Sequence, residues 1–203
     1  MDRLTLYTNP RSRGRIAHWM LEETGQPYDT VAIGFGPPMR TPDFLALNPM
    51  GKIPVLTYGP HVVTECAAIC TWLAETFPEA GLMPEDRARF YRWMFWAAGP
   101  LETAITNTAL GLIPPADRRG MVGYGNFELV MDTLEGLVSG PGYICGPRFS
   151  AADVYIGAQI GWGLMFRTIP ERPAFQAYWA RIKDRPAHLR AEVLADAAQP
   201  EAS

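Results

Sequence analysis

Strand-forming alternation is confined to about the first 80 residues of this 203-residue chain, and every later periodic segment is helical. A chain patterned this way must gather its sheet in one part and close the other by packing helices on helices. In the first part the order is strand (residues 4–7), helix (11–24), strand (28–33), short helix (41–47), two brief strands (53–58 and 61–64) and helix (65–77). The punctuation is local. Gly25 and Pro27 stop the first helix, Pro42 takes the first position of the second, Gly59-Pro60 turns the hairpin and Pro78 ends the last helix. Beyond a linker at 81–85, residues 86–111, 115–138, 150–166, 171–185 and 186–197 read as helices, and 198–203 as a frayed tail. The expected fold class is α/β plus all-α, a βαβαββα domain over residues 1–80 and an all-helical domain over 86–203.

Composition narrows the function classes. Apolar residues at 48% and charged residues at 19% exclude a disordered or coiled-coil chain. The net charge of −3 offers no basic field for nucleic acid, and it is not divided between the parts: residues 1–80 hold six basic and eight acidic groups, the rest twelve and thirteen. The start of the chain has no apolar stretch of signal-peptide length, and nothing approaches a membrane span, so a soluble cytoplasmic protein is expected. Cys66, Cys70 and Cys145 are too few for a disulfide framework and are badly spaced for zinc, so no metal is expected. His18, His61 and His188 stand far apart with no nucleophile motif beside them, which argues against a histidine-based hydrolase.

Three stretches carry chemistry. In Asn48-Pro49-Met50-Gly51-Lys52-Ile53-Pro54-Val55-Leu56, Pro54 stands at the start of what reads as a central strand, where its missing N–H is a liability. A cis Ile53-Pro54 bond would leave the Ile53 amide and carbonyl free to pair with an extended peptide; the plainer alternative is a trans proline on an edge strand. Further on, Glu65 begins a helix whose free amides attract a carboxylate while the Glu65 side chain takes an ammonium, a pair that suits an amino-acid zwitterion. Late in the chain, Phe149-Ser150-Ala151-Ala152-Asp153 carries a capping box, which is a folding signal.

Taken together, the βαβαββα order, the NPMGKIPVL stretch, the acid at the following helix start and the late FSAADVYIG resemble the cytosolic glutathione transferases, in their bacterial, theta/beta/zeta-like branch. The resemblance implies a thioredoxin-like first domain that binds glutathione as cosubstrate, with Ile53 beside cis-Pro54 pairing the cysteinyl backbone. The γ-glutamyl end would meet Glu65 and Cys66; the family usually has a serine where this chain has Cys66, which leaves either an inert thiol or one able to form a mixed disulfide. Lys52, Arg13 or Arg40 would meet the glycyl carboxylate.

The thiolate needs a donor aimed at sulfur. Ser12, at the mouth of the first helix, and Tyr7, at the end of the first strand, compete for this role, with Asn9 or a backbone amide as a third choice. Arg11, Arg13 and Arg15 would add positive potential. A small hydrophobic electrophile would bind between the domains, over a helix with Trp93, Phe95, Trp96, Leu101 and Ile105, an aromatic stripe expected to be mostly core. The resemblance also implies a detoxification role and a homodimer, with apolar surface near Met50, Trp72 and Met94. Two alternatives stay open, a glutathione-dependent disulfide reductase or isomerase, and a non-catalytic binding or regulatory module.

Overall fold

In β1 (Leu4–Thr8) buried Leu4 and Leu6 alternate with half-buried Thr5 and Tyr7, the period-two pattern of a strand with a core on each face. The computed structural model describes residues 3–198. β1 pairs in parallel with β2 (Tyr28–Ala32) and antiparallel with β3 (Val55–Tyr58), which pairs antiparallel with β4 (His61–Thr64), so the strand order is β2-β1-β3-β4. Register sets Leu6 opposite Thr30 on one side and Leu56 on the other. The connections are α1 (Gly14–Thr24), ended by Gly25 at φ 68°, and α2 (Pro42–Leu47), capped by Thr41, with α3 (Cys66–Thr76) following β4. This is the βαβαββα order expected from the periodicity, in the thioredoxin-like arrangement that the resemblance implies.

The described chain divides into two units, one made of the residues up to Met83 with those from Asp184 on, and the other of Pro84–Lys183. The last helix, α9 (Pro186–Ala197), therefore belongs with the sheet, where the sequence pattern had grouped 186–197 with the other helices. Its partner is α1. Arg185 donates from Nε and Nη2 to the two carboxylate oxygens of Glu23 at 2.6 and 2.7 Å, Arg190 donates to Glu22 at 2.7 Å, and Arg15 donates to Glu192 at 3.0 Å and also to Asp196. Trp19 stacks on His188 with ring centroids 4.4 Å apart. The expected tail after Ala197 lies, but for Ala198, outside the described residues.

Buried in α1, His18 contacts the Tyr28 hydroxyl through Nδ1 at 3.0 Å, and that hydroxyl donates to Glu22 at 3.1 Å. One phenolic proton cannot serve both, so Nδ1 carries the imidazole proton, and Nε2 is left buried with no partner among the described residues. Burial pushes the imidazole pKa down to about 4, against the pull of Glu22 and with the help of Arg15.

The second unit is helical. α4 (Arg87–Trp96) runs through a π turn at Ala97–Leu101 into α5 (Glu102–Ala109); Pro100 lies inside that turn and has no N–H for a regular ladder. The buried face is Phe90, Met94, Ala97, Leu101 and Ala104, at helical spacing. The aromatic stripe thus lies largely off the core: Trp93 and Trp96 are half-buried, Phe95 is 74% exposed, and only Leu101 of the expected set is fully buried. Met94 is core and not surface, while Met50 is exposed and Trp72 half-buried against Tyr58 and His61. The helix expected over 115–138 is broken. A short 3-10 segment (Ala116–Met121) precedes a glycine-rich turn with Gly125 at φ 67°, and α6 (Phe127–Val138) starts only after Asn126 caps the Leu129 amide.

α7 (Ala151–Met165), α8 (Pro173–Ile182) and the loop before α7 meet at Asp153, which is fully buried. The capping box forms at the start of α7. The Asp153 carboxylate accepts from the Ser150 amide and hydroxyl at 2.8 and 2.7 Å, from the Ile144 amide at 2.8 Å and from the Tyr178 hydroxyl at 2.5 Å. Burial pushes its pKa up, opposed by these four donors.

Two outcomes are expected. Asp153→Ala strands four buried donors and lowers the urea-unfolding free energy by about 3–5 kcal/mol. The unfolded His18 takes up a proton below about pH 6.5 that the folded one refuses until about pH 4, so stability falls with pH through that window, by roughly 3 kcal/mol in all. In paired unfolding curves at neutral and acidic pH, His18→Gln loses this share of the slope.

Candidate functional site

The turn from β1 into α1 is organised by Asn9, which is buried. Its side-chain amide donates to the Ile33 carbonyl at 2.9 Å, its side-chain oxygen accepts the Arg11 amide at 3.0 Å, and its main-chain carbonyl accepts both the Ser12 amide at 3.1 Å and the Ser12 hydroxyl at 2.8 Å. Asn9 thereby ties the loop together through its side-chain amide, its side-chain oxygen and its main-chain carbonyl. The Ser12 Oγ also accepts the Gly14 amide at 3.0 Å, so it stands at the helix mouth held from both sides. Gly14 is required here: a Cβ at this position would come within 1.7 Å of Thr8 Oγ1, because α1 starts directly against β1.

The other hydroxyl candidate goes elsewhere. Tyr7 packs against the apolar cluster of Met39, Phe44 and Val55, edge-on to the Phe44 ring at a centroid distance of 6.4 Å.

The Ile53-Pro54 peptide bond is cis, Pro54 is buried, and the Ile53 amide and carbonyl have no hydrogen-bond partner among the described residues. Asn48 secures this loop by donating to the Lys52 carbonyl at 2.8 Å and accepting the Met50 amide at 3.0 Å. Glu65, exposed and just before α3, sits at φ 66° and ψ 120°, outside the left-handed helical well and unfavourable for a residue with a Cβ. Its side chain does not cap the helix. Cys66 is buried, and its thiol donates to the Arg13 carbonyl at 3.4 Å, tying the start of α3 to the mouth of α1. One turn on, burial and the neighbouring Cys66 push the Cys70 thiol up.

These loops enclose a cavity of about 430 Å³, within the size range of small-molecule sites. Of the residues singled out from sequence, Arg11, Ser12, Arg13, Arg40, Lys52 and Ile53 line it. Tyr7, Asn9, Pro54, Glu65 and Cys66 do not; Asn9 shapes the wall from behind, and Cys66 adjoins it through Arg13. The electrostatics are one-sided, since Arg11, Arg13, Arg40 and Lys52 all line the cavity and, among the described residues, no acid does. Arg15, expected to share in this field, is neutralised by Glu192 and Asp196 on α9 and faces away from it. Among the described residues no group of His, Cys, Asp and Glu is placed to hold a metal, and no helix is long and apolar enough to cross a membrane.

Two lining features escaped the sequence reading. Phe35 stands between two glycines, 49% exposed, with the Arg11 guanidinium over its ring; a lone aromatic flanked by glycines in a loop was the available signal. Gly51, at φ 59°, has no room for a Cβ, which would lie 2.7 Å from both Arg40 Nη1 and the Met39 carbonyl. That close approach lets Arg40 cross the loop and donate to the Met50 carbonyl at 3.3 Å.

Known proteins carry the same organisation. Residues 12–76 match the family model of the glutathione S-transferase N-terminal domain. Glutathione S-transferase F10 of Arabidopsis thaliana is 27% identical over 91% of this chain and 94% of its own length. Glutathione S-transferase GstB of Escherichia coli K12 is 28% identical over 82% of this chain and 86% of its own. The theta class glutathione S-transferase of Xanthomonas axonopodis pv. citri, solved with glutathione bound, superposes with a TM-score of 0.72 at 29% identity, over 94% of this chain and 97% of that one. The first domain, the fold and these likenesses agree: residues 12–76 match a glutathione S-transferase N-terminal domain, and the chain as a whole is similar to plant and bacterial glutathione S-transferases.

Proposed function

We propose that this protein is a glutathione S-transferase that holds glutathione in the basic cavity of its first unit and stabilises the thiolate through Ser12, for attack on a small electrophile. The observation that carries the reading is the convergence of Ser12, Arg13, Lys52 and Ile53 on one cavity, with four cations and, among the described residues, no acid lining it. The unpartnered Ile53 amide and carbonyl suit the cysteinyl backbone of the tripeptide as an added strand. Lys52 and Arg40 suit its glycyl carboxylate. The strained Glu65 backbone, at the free amides of α3, suits the γ-glutamyl ammonium and carboxylate; a conformation that unfavourable persists where a site makes use of it.

Ser12 is favoured over Tyr7 because its hydroxyl lines the cavity and the Tyr7 ring is packed against Phe44. The hydroxyl proton points to the Asn9 carbonyl, and a rotation of that proton alone turns it toward a bound sulfur. The Gly14 amide, which donates to the same oxygen, polarises it as a donor. Arg11 and Arg13 add positive potential that favours the ionised sulfur. The thiolate then forms a carbon–sulfur bond, and either the leaving group departs with its electron pair or, in an addition, the carbanion takes a proton from water. Cys66 gives the redox alternative no support, since its buried thiol is a donor to Arg13. The reading extends to a cytoplasmic homodimer that conjugates small hydrophobic electrophiles in detoxification.

Ser12→Ala is expected to lower kcat/KM for conjugation about 10- to 100-fold while the Kd for glutathione changes little, with Tyr7→Phe nearly silent in the same steady-state assay. The reverse order would move the role to Tyr7.

A further inference from the structure

The cavity holds more positive charge than glutathione uses. In the placement above, glutathione brings two negative charges to the cavity, the glycyl carboxylate and the thiolate, while the γ-glutamyl ammonium and carboxylate offset each other near Glu65. Against these two stand Arg11, Arg40 and Lys52, even with Arg13 left out of the count, in a chain whose net charge is −3. Like charges gathered on one wall repel one another unless something anionic settles among them.

Arg11 is the cation that no carboxylate of glutathione takes in this placement. Arg15, four residues on, has acids from α9 on both ends of its guanidinium. Arg11 is exposed, makes no ion pair with a described residue, and lies over the Phe35 ring at 6.0 Å. Only the Arg11 main-chain amide serves the turn, through Asn9, so the side chain is not held there by the fold. A guanidinium and an exposed aromatic face, on the cavity wall next to the Ser12 hydroxyl, form a pair that recognises a flat apolar body carrying an anionic group.

We infer that the electrophile of this enzyme carries an anionic substituent such as a carboxylate, held by the Arg11 guanidinium against Phe35 while its apolar body faces the sulfur. The inference rests on the glutathione reading above and adds a substrate class to it. Ser12 donates to the thiolate directly, whereas Arg11 reaches it only through potential and would hold the electrophile's anion, so the two roles separate by binding experiments that use no thiolate.

The test is equilibrium dialysis of two unreactive probes, para-nitrobenzoate and its neutral isostere para-nitrobenzamide, with S-methylglutathione filling the glutathione site. Wild-type protein is expected to bind the benzoate about tenfold more tightly than the amide, a preference that fades between about 0.01 M and about 1 M salt. Arg11→Gln, a surface change, is expected to erase the preference and leave the amide unaffected. Equal affinities in the wild type, or a preference that survives in Arg11→Gln, would overturn the inference. Dialysis needs no turnover: protein that ionises bound glutathione yet shows no anion preference contradicts this inference alone, and protein that prefers the anion but leaves the bound thiol as in water contradicts the transferase reading alone.

Discussion

The first unit depends on one buried amide, Asn9. Its side chain reaches from the turn after β1 to the carbonyl of Ile33 at the end of β2, and its own carbonyl and side-chain oxygen take the Ser12 hydroxyl and the Arg11 amide. A neighbouring backbone bond, from the Ile33 amide to the Thr8 carbonyl at 2.7 Å, closes the same junction. Four hydrogen bonds converge on Asn9, so the turn has little freedom to take another shape. What the turn carries is chemistry: Ser12 and the two arginines beside it reach the cavity because Asn9 orients the loop beneath them.

Helix α9 supports that arrangement from the far side of α1. Glu22, Glu23 and Arg15 point toward α9 and are matched there by Arg190, Arg185 and the pair Glu192 and Asp196. Exposed ion pairs contribute little singly, about 0–1 kcal/mol, but Glu23 is only 6% exposed and meets Arg185 through two bonds, which makes it the strongest of the set. The clamp also sorts charge. It removes Arg15 from the cavity's field and leaves Arg11 in it, so a run of three alternate arginines divides into a structural member and cavity-lining ones.

Much of the fold was legible because period-two and period-3.6 patterns report which face is buried, and the first unit's strands and helices obey them cleanly. The failures share a cause, tertiary partnership. Nothing in the pattern of residues 186–197 says whether that helix packs on other helices or on α1, and the decision lies in acid–arginine matches about 170 residues apart. The helix expected over 115–138 ignored what Gly120, Gly123 and Gly125 do together, although each alone is tolerable. At the site, the cis Ile53-Pro54 bond and Ser12 could be named from motif and position. The buried state of Cys66 and the stacking of Arg11 on Phe35 could not, because both follow from loops meeting in space.

The central claim is that the first unit binds glutathione and ionises its thiol. It is tested most directly by the ultraviolet thiolate absorbance of glutathione bound to the wild-type protein, titrated against pH. The account predicts a thiolate appearing about one pH unit or more below the roughly 8.5 of a free thiol. Glutathione that binds but titrates as it does in water would contradict it, and would leave the cavity a binding site without an activated nucleophile.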